Sequence, residues 1–397
     1  MIPTELQQAT ASSTVEQWAA YLQDLHVRIA HRFRRPEVRE RLQRYILGLL
    51  GEIRRKNGWQ MAQAIGETQP RSTQRILGGA RWDADGVRDD LREYVVEHLG
   101  DEESSVLLVD ETGFLKKGEK SVGVARQYTG TAGKRENCQI GVFVAYASEK
   151  GSALVDRELY LPREWSDDPE RRAEAGVPEE VRFATKGQLA RVMLGRLFEA
   201  NVPARWVLAD SIYGADSKFR TWLEERGKCY VLGVHKTTGV WHAGRRYQVR
   251  TLARGLSEAS WIRASAGEGS KGERLYGWVC LGLEDGLEEV GMRRWLLVRR
   301  DIDEPDKQTF YLAYAPAGTS VEQLVRTAGK RWKIEEAFEQ AKGETGLDEY
   351  EVRKWDGWYR HVTLSLLAHA YLCVLRSVAP NEQDAAKKGI NRISVPS

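Results

Sequence analysis

Long hydrophobic runs are missing from this sequence: no stretch of about 18 consecutive apolar residues stands out to span a bilayer, so no membrane is expected as a partner. The first residues, MIPTELQQATASSTVEQW, supply neither the basic segment nor the apolar stretch of a secretory signal, which points to the cytoplasm. Cysteine is scarce. Cys138, Cys229, Cys280 and Cys373 lie far apart with no CxxC spacing, so a zinc site or a disulfide framework is not expected and the four read as ordinary thiols. Internal repeats and low-complexity blocks are absent too. What is present is a chain of 397 residues, 42% hydrophobic and 29% charged, the balance of a globular protein rather than a disordered one. Its length suggests two or three domains.

The net charge of +3 hides an asymmetry. From Arg28 to Arg81 there are 13 Lys and Arg against 4 Asp and Glu, which is +9, so the remainder carries −6. A basic N-terminal third on a mildly acidic body suits a module that neutralises phosphates, although charge alone fits a solvated helical surface equally well. Within this third, Trp18, Tyr21, Leu22 and Leu25, then Tyr45, Ile46, Leu49 and Leu50, recur at helical spacing. The following GWQMAQAIGETQPRSTQRILGGARWD has the layout of a helix-turn-helix: Ala62 and Gly66 four apart, Pro70 opening a second helix, Gly78 and Gly79 stopping it. That helix would present Arg71, Gln74 and Arg75, side chains able to reach base edges and phosphates. Ser72 falls where an apolar core residue is expected. A plain helical hairpin is the alternative.

After a helix at Val87–His98 the pattern turns to strands. SVLLVD (105–110), Val122–Tyr128, Ile140–Tyr146 and Leu154–Leu161 read as extended, with TGTAGKREN as a polar loop carrying Lys134 and Arg135. Residues 162–182 read as a loop. A helix at 186–200, the strand WVLAD (206–210), a helix near 216–226 and the strand YVLGV (230–234) follow. From His235 to Asp306 short β-like pieces alternate with Gly-rich turns and include Trp241, Trp261, Trp278 and Trp295. A last strand at 309–315 precedes helices at 319–343 and 359–378, and the polar tail from Ala379 should be loose.

Three motifs carry the chemistry: LLVDETGFLKKG, VLADSIYG and KRWKIEEAFEQAK. Asp110 and Asp210 each end an apolar strand, where a carboxylate loses hydration and two like charges destabilise each other without a cation. Mg2+ or Mn2+ suits such oxygen ligands. On a helix advancing about 100° per residue, Arg331, Glu335 and Lys342 fall within about 40° of one another. Ile334, Ala337, Phe338 and Ala341 form the adjoining apolar stripe. This puts Glu335 at the border of the buried side and turns Glu336 and Glu339 to solvent.

In its motifs and element order the sequence resembles the DDE transposases of bacterial insertion sequences, over roughly residues 50 to 375. The resemblance implies an α/β fold: an RNase H-like mixed-sheet core with an inserted β-rich subdomain, preceded by an α-helical DNA-binding domain. The divisions expected are 1–100 for the helical domain, 101–234 and 307–378 for the core, 235–306 for the insertion and 379–397 for the tail. It implies that Asp110, Asp210 and Glu335 hold two Mg2+ or Mn2+ ions, and that Arg331 and Lys342 grip phosphate near them. Lys134 and Arg135 are candidates for further DNA contacts. The family's Tyr-Arg-Glu-Lys signature is met by Arg331, Glu335 and Lys342, whereas Ala328 stands in the Tyr position. In relatives an aromatic of the insertion can stack on an unpaired base, but tryptophans in a β region are mostly core and none is assigned. The expected partners are double-stranded DNA, as element ends and target, and a second copy in a synaptic homodimer at the nucleoid. A nuclease that cuts without joining, and an inactive regulator derived from a transposase, are the competing readings.

Overall fold

The computed structural model describes residues 4–269, 272–284 and 291–379; from residue 380 onward the expected loose tail lies outside the described residues. The chain opens with helices α1 (Thr4–Ala30), α2 (Pro36–Leu50), α3 (Gly58–Ala64), α4 (Arg71–Gly78) and α5 (Ala84–Leu99). Their starts are written in the sequence. Pro36 occupies the first turn of α2, where its missing N–H costs nothing. The Asn57 carboxamide oxygen accepts from the backbone N–H of Trp59 and Gln60, and the Asp83 carboxylate accepts from those of Asp85 and Gly86. Between α3 and α4 the chain reverses through Gly66 at φ +80°, a conformation glycine adopts without a Cβ penalty. Ser72 proves harmless. It is half-buried against Glu67, and the inward positions of α4 are Thr73, Ile76 and Leu77. The Thr73 hydroxyl lies within bonding distance of two carbonyls, those of Gly58 and Pro70, so a polar residue is satisfied in the core slot.

The sheet begins with β1 (Val106–Leu115), β2 (Ala125–Thr129), β3 (Lys134–Ala147) and β4 (Ser152–Tyr160). After the short α6 (Arg163–Ser166) and α7 (Pro169–Ala175) come α8 (Lys186–Glu199), β5 (Trp206–Ala209), α9 (Ser211–Gly214), α10 (Ser217–Glu224) and β6 (Cys229–Val234). In the sheet β4 pairs with β3 and β3 with β1, all antiparallel, while β5 lies parallel to β1 and β6 parallel to β5. Three antiparallel strands followed by two parallel ones reached through helices is the RNase H-like arrangement that the element order predicts.

Several local expectations need correction. β1 does not end at Asp110 but runs five residues further, because its ladder with β3 is unbroken from Val106↔Ala147 to Leu115↔Cys138. The charged pair after Val109 interrupts the apolar run, not the hydrogen bonding. For the same reason Lys134 and Arg135 belong to β3, and only residues 130–133 form the turn. Residues 162–182 contain two helices, the second started by Asp168, whose carboxylate accepts from Arg171 N–H.

The insertion supplies β7 (Gly239–His242), β8 (Arg245–Gln248), α11 (Val249–Arg254), β9 (Ile262–Gly269), β10 (Gly272–Gly282) and β11 (Met292–Arg300), and β12 (Gln308–Pro316) follows it. Only the β7–β8 hairpin stands apart. The others extend the core sheet in the order β6-β12-β11-β10-β9, giving ten strands among the described residues. Trp278 and Trp295 are buried in it, Trp261 is half-covered beneath the Arg300 guanidinium, and Trp241 on the separate hairpin is 60% exposed.

The chain finishes with α12 (Val321–Gly329), a single 3-10 turn at Lys330–Trp332, α13 (Lys333–Thr345) and α14 (Trp355–Val378). Contrary to the expectation, α14 is long and apolar enough to cross a bilayer; here 72% of its most apolar stretch is buried inside the protein. It packs against α2, α4 and α5 on one side and β4 and α13 on the other, so the N-terminal helices and the sheet share one core. A buried ionic network stiffens that junction. The Asp156 carboxylate on β4, fully buried, takes two hydrogen bonds from Arg196 of α8 at 3.1 and 2.8 Å, and Arg88 of α5 stands 3.9 Å away. Its neighbour Arg157, equally buried, reaches Thr363 of α14 at 3.0 Å and pairs with Asp85 at 2.9 Å.

Candidate active site

Strand register brings the two aspartates together. Val109 of β1 pairs with Ala209 of β5, and the next residue of each is Asp110 and Asp210. β5 stops there while β1 continues, so both carboxylates open on the carboxyl end of a parallel pair, the usual place for ligands in α/β sheets. Asp210 caps α9, its carboxylate accepting from Ile212 N–H at 2.9 Å. Asp110 accepts from Glu111 N–H at 2.8 Å. Burial raises the Asp110 carboxyl to about 7, with the nearby Asp210 and Glu111 charges adding to the effect and Arg331 opposing it. Burial likewise raises Asp210, helped by Glu111.

Glu335 approaches from α13 through an arginine. Arg331, in the 3-10 turn before the helix, lies 3.6 Å from the Asp110 carboxylate and makes an ion pair with Glu335. The apolar stripe is as expected, with Ile334, Ala337, Phe338 and Ala341 all buried. The exposures of the two glutamates are reversed, however. The Glu335 side chain is 55% exposed, while that of Glu336 is 30% exposed and pairs with Lys333 at 3.3 Å. Both glutamates lie within α13 itself, and their exposures follow the partners each takes, Arg331 for Glu335 and Lys333 with Gln340 for Glu336. Lys342 sits further along the same face, donating to the Thr112 hydroxyl at 2.8 Å, two residues beyond Asp110 on β1. Burial lowers its ammonium pKa, so it is a poorly hydrated cation ready for an anionic partner.

Sequence reasoning missed the opposite flank. Glu111 points away from Arg331 and accepts from Lys186 of α8 at 2.7 Å and from the Tyr213 hydroxyl at 2.6 Å. A signal was available in the paired acids of VDETG, but the residues that hold Glu111 come from distant elements. Lys134 and Arg135 are not brought to the carboxylates: Lys134 pairs with Glu136 at 2.9 Å and Arg135 donates to the Arg126 carbonyl at 3.1 Å. Their hairpin does approach through Thr131, 3.3 Å from Lys342 Nζ. Arg71, Gln74 and Arg75 are exposed on α4, in the N-terminal helices.

A model of the family described as DDE superfamily endonuclease matches residues 28–257, more than half of the chain. The protein belongs to the DDE endonuclease superfamily. A second model, the transposase DDE domain, matches residues 184–371 of this endonuclease. Among curated proteins it is similar to the probable transposase for insertion sequence element IS701 of Microchaete diplosiphon. The two are 24% identical over 315 residues, which is 77% of this chain and 75% of that one. Among solved structures, the NurA nuclease from Sulfolobus solfataricus aligns over 63% of this chain and 80% of its own at 11% identity, with a TM-score of 0.25.

DDE endonucleases of the transposase type use divalent metal. Among the described residues no three Asp, Glu, His or Cys side chains form a ready metal-holding group, because Arg331 stands between Asp110 and Glu335. The donors nevertheless fit a hard cation. Asp110 and Asp210 are partly dehydrated oxygen ligands, the Asp210 charge adds to the rise at Asp110, and a cation relieves that repulsion.

One consequence is measurable without DNA. An unfolded Asp ionises near 4, but Asp110 in the fold keeps its proton to about 7. Its contribution to stability is therefore full below about pH 4 and is lost as pH rises through 7. Asp110→Asn, which does not titrate, should exceed the metal-free wild type in stability at pH 8 by on the order of 1–3 kcal/mol. The gap should close toward pH 4. Thermal melts in a chelator at both pH values test this, and equal melting of the two proteins at pH 8 would contradict it.

Proposed function

We propose that this endonuclease is a bacterial insertion-sequence transposase that cuts at the element's ends and joins the freed strands to target DNA. The observation that carries this reading is the convergence of Asp110 within β1 and Asp210 just after β5, with Glu335 tied to Asp110 through Arg331. Asp110, Asp210 and Glu335 would hold two Mg2+ or Mn2+ ions. Bound there, such ions activate the attacking water or 3′-hydroxyl and stabilise the leaving 3′-oxygen. The chain's own cations do the positioning. Arg331, a planar fork, would transfer from the carboxylates to a phosphate, and Lys342 would add a point charge beside it. Within the helices of residues 1–100, α4 would read the DNA through Arg71, Gln74 and Arg75. The core strands and the insertion would hold the cleaved strand, two copies would pair the two ends, and the work would take place in the cytoplasm at the nucleoid.

The test is a duplex carrying the element's end, labelled on one strand and incubated with the protein, target plasmid and Mg2+. Cleavage at the element boundary and covalent transfer of label to the plasmid are expected. Cleavage without any transfer, under conditions that also vary Mn2+ and target, would replace the transposase reading with that of a nuclease.

A further inference from the structure

Away from the carboxylates, a cleft of about 680 Å3 lies between the α1–α2 connection and the segment that follows α4. Arg34 and Arg35 line it from one side, Arg75 and Arg81 from the other. All four side chains are exposed, and among the described residues none makes an ion pair or a side-chain hydrogen bond. The acid in the lining, Asp83, is already engaged: it caps α5 and lies 3.7 Å from Arg32. Four unpaired guanidinium groups around one concavity repel one another, an arrangement that an anionic partner stabilises.

The walls of the cleft are held in place. Phe33 and Trp82 form an isolated antiparallel bridge, and their rings stack at 5.0 Å between centroids. The Trp82 indole N–H donates to the Ile76 carbonyl at 2.8 Å, which fixes the Arg81 segment to α4. Arg39 Nε donates to the Phe33 carbonyl at 2.8 Å and fixes the other wall to α2. On the far side Arg360 of α14 donates to Leu77 O at 3.1 Å, with its guanidinium 5.8 Å from the Trp82 ring. The arginines thus sit on a rigid frame fastened to the helix that also supports the catalytic sheet.

We propose that this cleft seats the sugar–phosphate backbone of duplex DNA beside α4. Forked guanidinium groups match phosphate oxygens, and a rigid cleft spares the entropy of ordering them. The inference rests on the DNA-binding role given above to the N-terminal helices and refines it. Arg75 becomes a phosphate contact, leaving Arg71 and Gln74 as the side chains of α4 available to bases.

The experiment uses the full chain and two duplexes of equal length, one carrying the element's end and one scrambled, titrated at several salt concentrations. The triple variant Arg34→Ala, Arg35→Ala, Arg81→Ala should bind both duplexes more weakly by the same factor. The slope of log affinity against log salt should fall by about 2–3, close to one for each phosphate that is no longer neutralised. The corresponding Lys variant should keep most of the slope. Unchanged melting temperature excludes misfolding as the cause, since all three positions are exposed. An unchanged slope, or a lost preference for the end with the slope intact, overturns the inference. If the variant binds as wild type while the wild type still cuts and joins the labelled end, the cleft is excluded and the transposase reading stands. If the wild-type chain binds neither duplex at low salt, both fail together.

Discussion

Asp110→Asn, Asp210→Asn and Glu335→Gln are each expected to lower strand cleavage by several orders of magnitude while specific binding to the element's end persists. Each change removes one ligand charge and leaves the shape nearly unaltered. Asp110 and Asp210 end up side by side because of the Val109↔Ala209 pairing, and no backbone rearrangement follows from replacing a carboxylate by its amide. Glu336→Gln is the control. Its carboxylate is paired with Lys333 and lies within 3.4 Å of the Gln340 amide, so it should keep most of the activity. Gel-resolved cleavage with Mg2+, normalised to folded protein, separates these outcomes. A neutral variant that cuts near the wild-type rate removes that residue from the triad, and equal loss in the two Gln variants removes the distinction between the glutamates.

The largest stability effect is expected at Asp156→Ala. Its carboxylate is fully buried and receives both hydrogen bonds of the Arg196 fork. Deleting one member of a buried pair commonly costs about 3–5 kcal/mol, because the remaining charge stays in a poorly solvated place. Glu158, 2.7 Å from Arg196, still partners it after the change, which brings the expected loss to about 2–4 kcal/mol. Urea unfolding of the metal-free protein measures it. A loss below about 1 kcal/mol would mean that the network is replaceable by water and contributes little to the junction of β4, α8 and α14.

What a sequence discloses depends on how far apart the interacting residues lie. Asp210 was legible because four apolar residues, a carboxylate and a helix start follow in direct succession, and each is a local signal. The extent of β1 was not, since the pairing that carries it past Asp110 is with β3, some thirty residues away. The acidic pair in VDETG could be seen, but Lys186 and Tyr213, which separate the environment of Glu111 from that of Asp110, reach it from α8 and α9. The helix wheel placed the apolar stripe of α13 correctly, yet it assumed one uniform helix through Arg331. The exposures of Glu335 and Glu336 depend on the partners each side chain takes, which a wheel does not show. Asp156 gave no signal at all: an acid in a strand reads as a solvent-facing residue until its arginines are known. The two helices α3 and α4 were legible because caps and a left-handed glycine define them, whereas the Arg34 to Arg81 cleft depends on the Phe33–Trp82 bridge across 49 positions.

The placement of α14 has a consequence for how this protein comes into being. Synthesis runs from the N-terminus, so the basic helices and both aspartates leave the ribosome well before Glu335 and before the helix on which α2, α4, α5 and β4 all close. Until Trp355–Val378 arrives, those four elements each leave an apolar face without its cover. A chain that ends before Glu335 would therefore carry the basic stretch with neither the third proposed ligand nor a closed interior. On the proposed triad, cutting power would wait for the segment from Glu335 through α14, and a product truncated before it would be a client for proteases rather than a loose nuclease.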